Sequence, residues 1–176
     1  MKATGIVRRI DELGRIVIPK EIRKNLRIKE GDNLEIYVEN EDRIVLQKYS
    51  LIKQLDDFSQ EFTDSIYSFI KHNVLITDTD YVIAASGSLK KDYLKKGISE
   101  QLDGMLKRRI EILENHVKKI NIIDEKAFEG TYTISPIIVN GDTAGLVMIL
   151  SEKDILTDNE FKMTQIASKF LKNYLE

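Results

Sequence analysis

The strongest constraint on this fold is the density of short strands at the start of the chain. Residues 3–10, 15–18, 34–40 and 43–49 are each predicted to be strands, because apolar residues alternate with polar ones or form a β-branched run. Turn residues and one short helix occupy the stretches between them. Four strands and a helix must therefore pack within residues 1–50.

A unit of this size is too small to be stable by itself. Some fifty residues bury only a modest fraction of their surface, and the chain has no cysteine to add a disulfide or a zinc-thiolate site. A second copy that interleaves its strands would cover the free strand edges and the apolar faces. The sequence therefore predicts an intertwined homodimer, with docking onto the rest of the same chain as the alternative.

Pro19 separates a β-branched run, residues 16–18, from a short basic segment. Proline cannot continue the interior of a sheet, but it suits the first turn of a helix. Apolar residues four apart then define one helical face, and Arg23 and Lys24 point elsewhere. The stretch is predicted to be a strand that stops abruptly and is followed by one or two helical turns that present cations.

A net positive charge is confined to the same end of the chain. Residues 1–29 carry nine basic and three acidic side chains, a net charge of +6, whereas residues 30–50 and residues 51–176 each have a net charge of −4. The net charge of −2 for the whole chain conceals this asymmetry. A basic segment at one end indicates a polyanionic partner there.

Four cations are candidates for contact with that partner. Arg8 lies in the first predicted strand, Arg15 at the following turn, and Arg23 and Lys24 on the short helix. If the first two strands pair as a hairpin, these side chains can converge on one face. Guanidinium groups bind phosphate oxygens in pairs and can also bind guanine edges. The alternative is a solvated surface on which these cations pair with neighbouring acids.

Residues 51–71 are predicted to form a helix of about twenty residues, because apolar side chains recur at steps of three and four. Leu51 and Leu55 belong to that apolar stripe, and Ser50 is a suitable N-cap. We interpret the helix as a linker that also packs. Its stripe contacts either the core of its own chain or a second subunit.

Residues 73–176 are predicted to form a mixed α/β unit. Asn140 and Gly141 give a strong two-residue hairpin signal, and Thr157 with Glu160 matches a capping box that would open a final helix. We expect an antiparallel sheet with helices on at least one side. The other predicted elements are a hairpin over residues 73–86, a helix over 98–113 that Gly104 would weaken, and strands over 118–123, 131–139 and 143–150.

The sequence indicates neither catalysis nor a resident cofactor. Ser86 and Ser88 have no histidine or cysteine nearby in the sequence, and the acids Asp78 and Asp80 are interpreted as turn residues. The two histidines of the chain lie far apart, with no cluster of ligands beside either. We therefore expect a protein that is not an enzyme and that holds no metal ion and no cofactor.

Residues 3–49, with the motif DELGRIVIPKEIR, strongly resemble the N-terminal DNA-binding domain of AbrB-type transition-state regulators. The resemblance implies a mostly-β swapped-hairpin fold, in which two protomers exchange hairpins. It also implies that the DNA-binding residues are Arg8, Arg15, Arg23 and Lys24. The family commonly has arginine at position 24, so Lys24 supplies a point charge where the family has a guanidinium fork.

The whole architecture is similar to a family of sporulation regulators, in which this module precedes a GAF-like domain. The segments NVLITDTDYVIAASGSLKKDYL and PIIVNGDTAGLVMIL carry that resemblance. It implies a multidomain chain that assembles as a homotetramer through helices of the second domain. The predicted parts are an AbrB-like domain over residues 1–50, a linker or oligomerisation helix over 51–72, and an α/β GAF-like domain over 73–176.

We therefore expect a sequence-selective, DNA-binding transcription regulator that activates and represses sporulation genes. Its expected partners are double-stranded DNA, further copies of itself and, optionally, a small-molecule effector, with no membrane. Its expected location is the cytoplasm, in association with the nucleoid. Two alternatives stay open at this point. One is a MazE-like antitoxin that also represses its own gene, and the other is a ligand sensor for which DNA binding is incidental.

Overall fold

The computed structural model of the protein describes residues 5–40, 42–50, 52, 56–124 and 126–176. These residues form two compact units, with the boundary between Tyr49 and Ser50. In chain order the elements are α1 (Lys20–Asn25), β1 (Leu34–Glu39), β2 (Arg43–Lys48), α2 (Asp56–Ile70), β3 (Asn73–Thr77), β4 (Val82–Ser86), α3 (Lys90–Tyr93), α4 (Glu100–Lys107), β5 (Ile112–Ile123), β6 (Lys126–Val139), β7 (Asp142–Ser151) and α5 (Asp158–Leu175).

The first unit has one antiparallel hairpin, β1 with β2, and the short helix α1. Val38 lies opposite Ile44 and Ile36 opposite Leu46, so these four apolar side chains share one face, as their alternation predicts. That face is uncovered in a single copy, because the exposed fractions of Ile36, Val38 and Ile44 are 67%, 74% and 70%. The alternation is therefore confirmed, and the burial that it implies is missing from the single chain.

The prediction of strands over residues 3–10 and 15–18 was wrong for a single copy. Residues 5–10 and 15–18 are not in strands, and residues 3 and 4 lie outside the described part of the chain. Only the turn between the two segments forms, with the amide of Asp11 donating to the carbonyl of Arg15 at 3.1 Å. A β-branched segment becomes a strand only when a neighbour accepts its ladder of hydrogen bonds, and one copy supplies no such neighbour here.

The second unit is built on a five-stranded antiparallel sheet with the order β4-β3-β7-β6-β5. Side chains alternate between its two faces. Leu75 and Met148 pack beneath α3 and α4, while Ile76 and Val147 pack beneath α2 and α5. Helices therefore cover both faces, which agrees with the predicted antiparallel sheet and explains why the central strand β7 is almost wholly apolar.

The helix α2 belongs to this second unit and covers part of the edge strand β4. The amide group of Gln60 forms two hydrogen bonds with the backbone of Ala85, donating to its carbonyl at 3.0 Å and accepting from its N–H at 3.3 Å. A side-chain amide thus takes the place that a further strand would occupy. Leu51 and Leu55, which the prediction placed on the same apolar stripe, lie outside the described residues.

Two predicted turns and one predicted cap are confirmed. The carboxylate of Asp78 accepts hydrogen bonds from the amides of Asp80 and Tyr81 at 2.7 and 2.6 Å, which closes the β3–β4 turn. Asn140 and Gly141 have φ angles of 50° and 88°, the left-handed conformations that a two-residue turn between β6 and β7 requires. At the start of α5, Thr157 and Glu160 form the reciprocal capping box.

The predicted helix over residues 98–113 was wrong in its second half. The helix α4 ends at Lys107, because Arg109 has a φ of 54° and this left-handed conformation stops helical propagation. Leu113, which the helical spacing included, lies instead in β5 opposite Thr133 of β6. Pairing with β6 decides the structure here, and the local periodicity does not. The short helix α3 had no sequence prediction.

No helix within the described residues combines the length and apolar character that a bilayer crossing requires.

Gly145 offers a test of the second unit. We expect Gly145→Ala to lower the free energy of unfolding of this unit by about 3 kcal/mol, because the new methyl group would overlap the carbonyl oxygen of Thr77. Chemical denaturation followed by circular dichroism measures the change. Gly104→Ala is the matched control. It lies in α4 with open space around it, so the same substitution should stabilise by about 0.5–1 kcal/mol. Equal effects of the two substitutions would contradict the close approach at position 145.

Candidate nucleic-acid interface

The turn of residues 11–15, called the hairpin tip below because it joins the two segments that the sequence predicts to pair, places Arg15 by a set of local hydrogen bonds. One carboxylate oxygen of Asp11, Oδ1, accepts the backbone N–H of Leu13 at 3.0 Å and that of Arg15 at 2.9 Å. The other oxygen, Oδ2, accepts the side-chain Nε–H of Arg15 at 2.7 Å. Gly14 completes the turn with a φ of 76°, a conformation that glycine adopts without strain. The motif from Asp11 to Arg15 thus folds locally and fixes where the guanidinium begins.

The Asp11 carboxylate is stabilised in its charged form. Hydrogen bonds from the backbone N–H and from the side chain of Arg15 lower the pKa of Asp11 from its ordinary value. Because the shift is downward, the ion pair is complete at neutral pH and is lost only as the pH falls through the lowered pKa. Arg15 therefore pairs with a neighbouring acid, and its contact with DNA stays a prediction.

The helix α1 holds the next two candidates. Pro19 precedes the helix with a φ of −57°, as the sequence predicts, and Arg23 and Lys24 lie in its last turn. Both side chains are exposed, and within the part of the chain that the structure describes neither forms an ion pair. Cations are favoured near a helix C-terminus, where the carbonyl groups point outward. These two groups are therefore available to an external anion.

Arg8 lies in the extended residues before the hairpin tip. Its side chain is exposed and donates to the carbonyl of its neighbour Val7 at 3.0 Å. Among the described residues of one copy, no hydrogen bond or ion pair joins Arg8 to Arg15, or either of them to α1. Convergence of the four cations on one face stays a prediction.

Another cation of the same unit has a different role. The ammonium group of Lys48 lies 3.0 Å from the carboxylate of Asp32, and both side chains are four-fifths buried. Asp32 also accepts the backbone N–H of Lys29 at 2.7 Å. Lys48 therefore ties the strand β2 to the turn before β1, and it contributes to the fold of the unit.

The serine and aspartate candidates for catalysis have structural partners. The hydroxyl of Ser86 lies 2.5 Å from the carboxylate of Asp64, and this hydrogen bond lowers the pKa of Asp64. Ser88 donates to Asn73 at 3.1 Å, and Asp78 closes the β3–β4 turn. Within the described residues, no group of three histidine, aspartate or glutamate side chains is arranged as metal ligands would be.

Comparison with known proteins decides the family. Residues 54–176 match the family model of the stage V sporulation protein T C-terminal domain, described as a transcription factor. The whole chain is 49% identical to stage V sporulation protein T of Bacillus subtilis (strain 168), and the match covers 99% of that protein. This chain belongs to the stage V sporulation protein T family. It is a transcription factor with an AbrB-type DNA-binding domain at its N-terminus.

The N-terminal domain of this family member matches a further protein and a further family model. It is 63% identical over 49 residues to the transition state regulatory protein AbrB of Bacillus subtilis, which is 28% of this chain and 50% of AbrB. Residues 7–54 also match the model of the MazE family, described as antidote-toxin recognition and bacterial antitoxin. The predicted AbrB-type resemblance is confirmed.

The second domain has the predicted GAF-like fold. It superimposes on the cofactor-binding GAF domain of the nutrient sensor CodY from Clostridium difficile with a TM-score of 0.51, at 10% identity over 71% of this chain and 93% of that chain. The type II free methionine-R-sulfoxide reductase of Thermoplasma acidophilum gives the same TM-score, at 14% identity over 69% of this chain and 94% of its own. At these identities the likeness establishes the fold alone.

The Asp11–Arg15 pair can be tested by titration. In Arg15→Ala we expect the pKa of Asp11 to rise, because the side-chain hydrogen bond is lost. The rise should stop short of the ordinary value, since the backbone N–H of residue 15 still donates. Carboxyl chemical shifts followed by NMR against pH measure it. Arg43→Ala, a cation of the same unit that pairs with Glu39 and Asp42, should leave this titration unchanged.

Proposed function

We propose that this protein regulates sporulation genes, as activator at some promoters and repressor at others. It binds duplex DNA through an intertwined N-terminal dimer. The proposed DNA-binding residues are Arg8, Arg15, Arg23 and Lys24 of each protomer. We place the protein in the cytoplasm, bound to the nucleoid. Family membership and the exposed cations of the hairpin tip and of α1 support this proposal.

One observation supports the proposal that the N-terminal unit is a dimer. None of the described residues before Ser50 is buried, although that segment is rich in isoleucine, leucine and valine. A unit with no buried apolar side chain lacks the apolar burial that offsets the entropy of folding. A second copy would cover the exposed face of β1 and β2 and offer partners to residues 5–10 and 15–18. Pairing between two copies would place the four cations of both copies on one N-terminal dimer.

The proposed recognition combines phosphate contacts with few base contacts. Lys24 acts as a point charge on phosphate, while the arginine forks bind phosphate oxygens or guanine edges. Contacts to phosphate position the dimer, and the shape and deformability of the duplex add selectivity where few bases are touched. No cofactor and no catalytic residue has a part in this mechanism.

Salt dependence tests the proposed clamp, by which we mean the dimer binding the phosphates of the duplex through the four cations of each copy. Two copies of four cations neutralise up to roughly eight phosphates, so log affinity against log salt should have a slope near −7. Arg15→Ala should weaken binding and make the slope shallower by about 2, because the dimer loses two contacts, while the oligomer and the unfolding midpoint stay unchanged. Fluorescence anisotropy at several salt concentrations measures both. Arg43→Ala is the control cation and should leave affinity and slope unchanged. A wild-type slope near zero would overturn the clamp.

We propose that the second domain joins two such dimers into a tetramer. Phe58 and Phe62 of α2 stack with Phe170 and Tyr174 of α5, with ring centroids 4.6 to 6.1 Å apart. The outer side of this aromatic stack is open, since Ile166, Phe170 and Tyr174 are 67%, 46% and 56% exposed. An apolar patch of this kind marks an interaction site. A second copy of the same surface is the proposed partner.

Oligomer size tests this surface. We expect Ile166→Lys to convert the tetramer into a dimer, because a charge within the patch would be buried unpaired in the interface. Val117→Lys makes the same chemical change at an equally exposed position of β5 and should leave the tetramer intact. Light scattering coupled to gel filtration measures the mass. A monomeric wild-type protein would contradict both proposed interfaces.

Small-molecule sensing by the GAF-like domain stays a prediction. Mass spectrometry of the natively purified protein tests it, and a retained metabolite together with weak, sequence-blind DNA binding would favour the ligand-sensor alternative.

The antitoxin function is the second candidate, because residues 7–54 match the MazE family model. That match ends at residue 54, whereas the second unit extends from Ser50 to Glu176 and has a GAF-like fold. Copurification with a small toxin would favour this candidate over the regulator.

A further inference from the structure

The Asp11 carboxylate uses its two oxygens for two separate purposes. Oδ1 alone accepts the backbone N–H groups of Leu13 and Arg15 and thereby closes the turn. Among the described residues, Oδ2 takes no part in the turn and accepts the Nε–H of Arg15 alone. An asparagine would close the same turn through its carbonyl oxygen. The second carboxylate oxygen therefore needs a reason other than the turn.

Stability does not supply that reason. The side chains of Arg15 and Asp11 are 73% and 41% exposed, and ion pairs this open to solvent contribute little to folding. The pair also places a negative charge within the basic end of the molecule, where it repels a polyanion. An acid at this position opposes DNA binding by its charge, so any benefit to binding has to come from the geometry that it imposes.

The geometry leaves the outer end of the guanidinium open. Arginine has five N–H donors, and the Asp11 carboxylate occupies the one on Nε, so the four on the two Nη atoms remain. The hydrogen bond at Nε restricts the orientation of the guanidinium plane relative to the hairpin tip. The paired Nη groups can then meet a guanine edge or a phosphate end-on, with less side-chain entropy lost on binding.

We propose that Asp11 is a positioning residue that pre-orients Arg15 for sequence-selective contact with DNA. This inference rests on the proposed role of Arg15 and deepens it. Asp11 itself touches no DNA. It acts by orienting the guanidinium before DNA binds. Its negative charge weakens the non-selective attraction to DNA, and the orientation that it imposes raises the selectivity.

Asp11→Asn separates geometry from charge. It keeps the acceptor for the turn but sets an amide N–H against the Nε–H of Arg15, so the orientation is lost while one negative charge is removed. Glu12→Gln is the matched control, because it removes the same charge next to Asp11 from a side chain that forms no hydrogen bond or ion pair within the described residues. Charge alone predicts equal or tighter DNA binding for both variants.

The experiment uses the full chain and two probes, a duplex enriched from random-sequence DNA by the wild-type protein, and poly(dI-dC). We expect Asp11→Asn to bind the enriched duplex about 3- to 10-fold more weakly, with an unchanged salt slope and with equal or tighter binding to poly(dI-dC). Glu12→Gln should not weaken binding to either probe. In an Arg15→Ala background, Asp11→Asn should cause no further loss, because Asp11 acts through Arg15.

Each result separates this inference from the function that it rests on. If Asp11→Asn behaves as Glu12→Gln does, or if its loss persists in the Arg15→Ala background, the positioning role is overturned and the clamp survives. If Arg15→Ala binds the enriched duplex as well as the wild type does, the proposed contact at Arg15 fails.

Discussion

The N-terminal unit cannot bury its own apolar residues, and the rest of the proposed assembly depends on this constraint. The hairpin of β1 and β2 gathers its apolar side chains on one face, yet Ile36, Val38 and Ile44 remain mostly exposed in a single copy. A segment that exposes so much apolar surface gains little free energy by folding alone. Association with a second copy would stabilise the unit and would also double the number of exposed cations that the unit presents. In the proposed assembly, the association of two N-terminal units would thus both stabilise their fold and create the DNA-binding surface.

Local interactions shape the hairpin tip without help from any partner. The Asp11 carboxylate, the left-handed Gly14 and the backbone of Arg15 form a closed set of hydrogen bonds within five residues. Within the described part of the unit, the hydrogen bonds of this turn join residues 11–15 to one another, so the turn forms without pairing of the flanking segments. The guanidinium of Arg15 is therefore oriented by the sequence next to it, whereas Arg8 lies in residues 5–10, which form no strand in a single copy.

The second unit reaches stability in the opposite way, by burying both faces of its sheet. Successive residues such as Leu75 and Ile76 enter different apolar layers, one beneath α3 and α4 and the other beneath α2 and α5. The aromatic stack of α2 and α5 has an apolar side that the other described residues of this unit do not cover. The two units thus leave different kinds of surface for self-association, an uncovered sheet face in the first and a helical aromatic patch in the second.

The sequence by itself determined what depends on near neighbours. It predicted the Asp78 turn, the Asn140–Gly141 hairpin and the Thr157–Glu160 capping box, because turns and caps are closed by residues a few positions apart. It also predicted that positive charge lies at one end of the chain, together with the motif that shows the family. Tertiary structure alone decided that Leu113 lies in a strand, because β6 supplies the hydrogen bonds that a helical spacing could not foresee. It likewise left residues 15–18 without a ladder, because a strand is defined by its partner, and that partner is absent from one copy of the chain.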